Sequence, residues 1–136
     1  HLCANFRAGD VSYIAGTPFV GATVDMYAGP GGHRGEFLAW DPVKRAKAWS
    51  IEEKLPVWTG ALVTGGDVIF HGSGGVGDFF AFDARTGKQV FKHPGKYGTP
   101  EGIRTGMLAT PMTYSVNGKQ YVAVAAGSTL LTYKLP

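Results

Sequence analysis

The segment FLAWDPVKRAKAW (residues 37–49) lies over FFAFDARTGKQVF (residues 79–91) without a gap, at a constant offset of 42 residues. This pairs Phe37 with Phe79, Ala39 with Ala81, Trp40 with Phe82, Asp41 with Asp83 and Trp49 with Phe91. In the later copy Thr86-Gly87 is a turn signal between two aromatic-rich strands, because glycine adopts the left-handed backbone of a tight turn. By internal likeness DPVKRAK is the same turn in less typical residues, which overrides the helical look of VKRAKAWSIEEK. A second likeness joins GALVT (residues 60–64) to GMLAT (residues 106–110), and a pair of strand-like segments follows each. Repeats of roughly 40 to 50 residues with about four strands each are the pattern of β-propeller blades, which bury their apolar faces only against one another.

The predicted fold is therefore all-β, a partial propeller of about three four-stranded antiparallel blades. With 21 glycines and 8 prolines in 136 residues, many short strands and tight turns are expected rather than long helices. The chain reads as one segment, 1–136, with an irregular lead-in over 1–18 and a partial blade over 19–50. A complete blade follows over 60–93 and a final blade over 106–135, linked by SIEEKLPVWT and PGKYGTPEGIRT. A ring of typically four to eight blades does not close with three, so the open faces call for more chain or more copies. The chain starts HLCANF without an initiator Met and reads as a processed or truncated product.

Several chemistries fail on context. GSGGVG places a G-x-G-x-x-G at Gly72, Gly74 and Gly77, but a dinucleotide site needs a helix after the glycines and an acid about 20 residues on. Here DFFAFD follows, which is strand-like, and no Asp or Glu lies between Asp83 and Glu101. No G-K-[ST] completes a phosphate loop either. His1, His33, His71 and His93 show no zinc spacing and read as surface or turn residues, and the serines lack a nucleophile elbow. Asp41 and Asp83 precede the repeated turn and are explained by capping it. The net charge of +3 is spread along the chain, which argues against a nucleic-acid groove. No apolar run approaches the ~18 residues of a membrane span. Cys3 stands alone and cannot form an internal disulfide.

The tryptophans carry more. Trp40 and Trp49 occupy repeat positions filled by Phe82 and Phe91, as packing between blades requires. Trp58, in LPVWTGAL, has no repeat counterpart and precedes the innermost strand of a blade, facing the axis. A flat aromatic placed there suits a planar cofactor.

Taken in order, NFRAGDVSYIAGTPFVGATVDMYAGPGG, VWTGALVTGGDVIFHG, DARTGKQVFK, TPMTYSVNGKQYVAVAAG and LLTYKLP resemble the C-terminal part of the quinoprotein alcohol dehydrogenases. These are methanol- and ethanol-type enzymes that use pyrroloquinoline quinone (PQQ). The resemblance implies an eight-bladed propeller in the bacterial periplasm, with PQQ on the axis above a calcium or lanthanide ion. It implies oxidation of a small primary alcohol to an aldehyde, an Asp as base, and a c-type cytochrome as electron acceptor. It assigns this chain no catalytic residue and no metal ligand, because those lie in earlier blades, and the segment alone is expected to be inactive. What carries over is Trp58, in the V-W-[ST]-G segment near the cofactor, with Thr59 and Gly60 beside it as cofactor-binding candidates. HLC matches the family's N-H-x-C at His1 and Cys3, with the Asn before residue 1. The connection FKHPGKYGTPEGIRTGMLATP is longer than usual, and AAGSTLLTYKLP lacks the Gly/Trp-rich excursion of methanol dehydrogenases, so this end is closer to the ethanol type. The rival reading is a non-catalytic propeller module that assembles with the remainder of a propeller, another chain or further copies of itself.

Overall fold

The structure, a computed structural model, describes residues 2–10, 12–73, 77–95 and 109–135. Its elements are β1 (Leu2–Arg7), β2 (Thr23–Ala28), β3 (Gly35–Asp41), β4 (Ala46–Glu53), β5 (Ala61–Val63) and β6 (Val68–Gly72). They continue with β7 (Phe79–Asp83), β8 (Gln89–His93), β9 (Met112–Val116), β10 (Lys119–Ala126) and β11 (Thr129–Lys134). All pairings are antiparallel and join strands adjacent in sequence, the meander from which propeller blades are made. The sheets are β1-β2, β3-β4, β5-β6-β7-β8 and β9-β10-β11.

One expectation changes. Leu2–Arg7, placed in the irregular lead-in, is a strand paired along its length with Thr23–Ala28. Its local sequence is a weak strand signal, and the partner ladder supplies the missing preference. Residues 106–108 of GMLAT lie outside the described residues. The strand pair expected after it is β10-β11, and β9 joins β10 through a turn at Asn117-Gly118, both with positive φ. Among the described residues, β5–β8 is the sheet that has all four strands of a blade.

The 42-residue repeat survives into backbone geometry. Asp83 Oδ1 accepts from the amides of Arg85 and Thr86 and from the Thr86 hydroxyl, and Asp41 Oδ1 accepts from the amides of Val43 and Lys44. Each carboxylate stands in for the backbone acceptor that a tight turn lacks. Gly87 has φ +71°, and Arg45, at the equivalent position, is held at φ +53°. Even the strand irregularity recurs, between Ala39 and Trp40 and between Ala81 and Phe82. The non-glycine turn is thus built like the glycine one, at the cost of a left-handed arginine.

Successive sheets are joined by rings at repeat positions. Phe37 of β3 stacks on His71 of β6 and leans on Phe82 of β7. Its repeat mate Phe79 stacks on Tyr133 of β11, with ring centroids 5.0 Å apart. Phe82 and Tyr133 are each the fourth residue of their segments, FFAFD and LLTYK, so one contact is made twice. Trp49 packs over the Gly87 turn and donates from Nε1 to the Ala84 carbonyl at 2.9 Å, while Phe91 meets Tyr133 edge-on. Trp40 departs from this scheme. It is 55% exposed where its mate Phe82 is 4% exposed. Phe37 of the preceding sheet covers Phe82, and no ring covers Trp40 among the described residues.

The core lies between the last two sheets: Phe70, Phe79 and Ala81 face Val122, Val124 and Ala126, with Leu131, Tyr133 and Leu135 around them. Full burial of a side chain such as Phe79 contributes roughly 2–3 kcal/mol. A cleft of about 750 Å³ runs beside this core, lined by Val68, Phe91, Tyr133 and Leu135 among others. Burial pushes the Tyr133 phenol above its ordinary value.

The two turns make opposite predictions. A Cβ at Gly87 would come within 2.7 Å of the Trp49 ring on a backbone at positive φ. Gly87→Ala is expected to cost about 2–4 kcal/mol in urea unfolding, through both clash and left-handed strain. Arg45→Gly relieves strain without opening a contact and is expected to stabilise by up to about 1 kcal/mol.

Candidate functional site

Trp58, Thr59 and Gly60 form the approach to β5, and each is held differently. Gly60 is where the chain passes closest to its neighbour, since a Cβ there would overlap the Thr110 side chain. Glycine is required by space at this position. Thr59 is tied down through its hydroxyl, which lies 3.0 Å from His71 Nδ1 and donates to the Gly72 carbonyl at 2.5 Å. Trp58, between two restrained segments, leaves its indole 69% exposed.

A cavity of about 370 Å³ opens beside that indole, lined by Leu2, Arg34, Glu36, Leu38, Pro56 and Val57. Three separate segments meet there: β1, the start of β3 and the approach to β5. Gly35, at the start of β3, admits the Leu55 carbonyl and the Val57 side chain where any Cβ would collide. The Lys47 ammonium beside Glu36 holds its carboxyl below the ordinary carboxylate range. Arg34 and Trp58, both lining the cavity, offer a cation and an aromatic ring, and Glu36 beside them is paired with Lys47.

His71 was expected at the surface or in a turn, and it is 1% exposed. It lies in β6, opposite Ala61 of β5 and Phe80 of β7, so the sheet itself carries it inward. Its ring stacks on Phe37 at 4.3 Å between centroids and 7° between planes. Burial disfavours the imidazolium and pushes His71 below its ordinary value of 6.5, against a weaker opposing backbone contact with Gly60. The signal in the sequence was its place in VIFHG, a run too apolar for a solvated histidine, next in space to the Trp58 segment.

The described element after the glycine loop is the strand β7, paired antiparallel with β6, and the Ser73 amide donates to the Asp78 carbonyl between them. Residues 74–76 of that loop, including Gly74, lie outside the described residues, as does His1. Among the described residues no group of three or more His, Cys, Asp or Glu side chains could hold a metal ion. Among the described residues no helix is long and apolar enough to cross a membrane.

The depressed His71 pKa has a signed consequence for stability. The unfolded chain takes up a proton near pH 6.5, and the native chain does so only at lower pH. Stability contributed by His71 is complete above that value and is lost as pH falls below it, with a slope of at most about 1.4 kcal/mol per pH unit. Urea unfolding between pH 7.5 and 5 is expected to fall more steeply for the native sequence than for His71→Phe. Equal slopes would contradict the buried, neutral imidazole.

Residues 31–122 match the family described as PQQ: glucose/ethanol/alcohol dehydrogenase, beta-propeller domain. The chain is 42% identical over 129 residues to the lanthanide-dependent methanol dehydrogenase of Methylorubrum extorquens, covering 93% of this chain and 20% of that protein. It is 47% identical over 93 residues to the dehydrogenase subunit of the quinone alcohol dehydrogenase of Acetobacter aceti, covering 68% and 11%. A europium-containing methanol dehydrogenase superposes with a TM-score of 0.72 at 36% identity, over 90% of this chain and 20% of that one. The chain therefore spans about one fifth or less of the length of these relatives. Repeated antiparallel sheets, ring contacts from sheet to sheet and a match over most of its length make this chain a member of the PQQ-dependent alcohol dehydrogenase β-propeller family.

Proposed function

We propose that this chain supplies the closing blades of a periplasmic PQQ-dependent dehydrogenase that oxidises small primary alcohols to aldehydes. The blades divide at 19–50, 60–93 and 106–135, and Trp58, Thr59 and Gly60 form part of the cofactor wall. The observation that carries this reading is the Trp58 indole, left exposed between restrained neighbours within the residues that match the family. The residues present fit the group: PQQ is planar and carries carboxylates, and the cavity wall offers an indole face and the Arg34 guanidinium. Bound PQQ, with a calcium or lanthanide ion beside it, would supply the quinone that accepts the electrons of the alcohol.

The work of this chain's own residues is positional. Trp58 offers one flat face to the cofactor plane and keeps water from it. Gly60 lets β5 approach Thr110 without displacing that face, and Thr59 anchors the segment between them. The base and the metal ligands are assigned to other blades, and a c-type cytochrome to the electron-accepting side.

The test is reconstitution of the holoenzyme carrying this chain. After removal of PQQ and metal, dye-linked oxidation of methanol or ethanol is expected to return only when PQQ is added together with a calcium or lanthanide salt. The 136-residue chain by itself is expected to give no turnover. Native mass spectrometry showing particles made only of this chain, with no PQQ bound, would overturn the reading in favour of a non-catalytic propeller module.

A further inference from the structure

The hydrogen bonds around Thr59 determine more than its anchoring. Its single hydroxyl lies within bonding distance of two groups, His71 Nδ1 at 3.0 Å and the Gly72 carbonyl oxygen at 2.5 Å. A carbonyl oxygen only accepts, so the one hydroxyl proton goes to Gly72. Oγ1 is then left to accept, and Nδ1 must be the protonated nitrogen of His71. The ring is thereby fixed as one tautomer, with Nε2 bare. Nε2 is buried and makes no hydrogen bond among the described residues.

This is a costly way to fill a core position. A phenyl ring would stack on Phe37 and would bury no unpartnered nitrogen. The imidazole differs from the phenyl in its polar contacts, the Nδ1–H bond to Thr59 and a backbone contact with Gly60. Phe37, from the preceding sheet, holds the plane of the ring, and the ring in turn orients the hydroxyl of the residue next to Trp58.

We propose that His71 is a positioning residue for Trp58: through its Nδ1–H bond to Thr59, and with its plane set by Phe37, it fixes how the indole faces the cofactor pocket. The inference rests on the PQQ reading of that pocket. His71 touches no reacting atom and acts only through Thr59, so its effect belongs to cofactor affinity before turnover.

The holoenzyme carrying this chain is stripped of PQQ, and PQQ is titrated back while tryptophan fluorescence quenching reports the dissociation constant. His71→Phe keeps the stack on Phe37 and removes the bond to Thr59. Thr59→Val removes that bond together with the hydroxyl's bond to the Gly72 carbonyl. Each is expected to weaken PQQ binding about tenfold, as small misplacements of a positioned group do. The double variant is expected to bind no more weakly than Thr59→Val alone, because the bond that His71→Phe removes is already absent there. His71→Asn, which places an amide N–H near the position of Nδ1–H but loses the ring stacked on Phe37, is expected to bind PQQ more tightly than His71→Phe.

If His71→Phe and His71→Asn weaken binding equally, or Thr59→Val leaves it unchanged, the positioning role fails. Should His71→Phe not fold, Thr59→Val and His71→Asn decide alone, and Thr59→Val is expected to weaken binding more than His71→Asn does. Trp58→Ala separates the two claims. If it weakens PQQ binding while His71→Phe and Thr59→Val do not, the pocket reading stands and the inference falls. If Trp58→Ala has no effect, the PQQ reading of this segment falls, and the inference with it.

Discussion

Contact between successive sheets is the constraint on which the rest of this chain depends. A small antiparallel sheet cannot bury its own face, and here aromatic rings join β3-β4 to β5–β8 and β5–β8 to β9–β11. Phe37 over His71 and Phe82, and Phe79 over Tyr133, are the same contact made one repeat apart. The outer strand repeats the arrangement with Trp49 and Phe91. Because these rings sit in the same frame as the backbone turns, turn geometry and core packing are specified by one motif. A shift of register in β3 or β7 would take both away together.

The candidate site is a by-product of that stacking. The Trp58-Thr59-Gly60 segment lies at the approach to β5, and nothing within the segment fixes its conformation. Its anchors come from β6 through His71 and Gly72, and its closest approach is to Thr110, far along the chain. His71 in turn is held by Phe37 from another sheet. The rigidity offered to a ligand at the indole is therefore borrowed from the packing between sheets, and it does not arise from the loop.

Much of the architecture was legible from the internal repeat alone. The offset of 42 predicted equivalent turns at DPVKRAK and DARTGKQ, and the shared aspartate caps, left-handed residues and strand irregularities bear this out. All-β class and propeller repetition followed from the same comparison. Less legible was anything that depends on which neighbour lies across a sheet. Trp40 and Phe82 are equivalent in sequence and opposite in burial, because only one has a ring from another sheet above it. The strand at Leu2–Arg7 was missed for a related reason, since its ladder partner lies beyond a long intervening loop.

What the sequence by itself determined is periodic and local: where turns fall, which residues alternate toward a core, and that Trp58 stands outside the repeat. These follow from backbone sterics and side-chain type within a few residues of each position. What only the tertiary structure decided is the state of His71. Four histidines without metal spacing looked interchangeable, and one of them is sealed between Phe37 and Thr59 with its tautomer set by a single hydroxyl proton. Burial and hydrogen-bond direction are properties of the neighbours that folding brings together, and those neighbours come here from three different stretches of the chain.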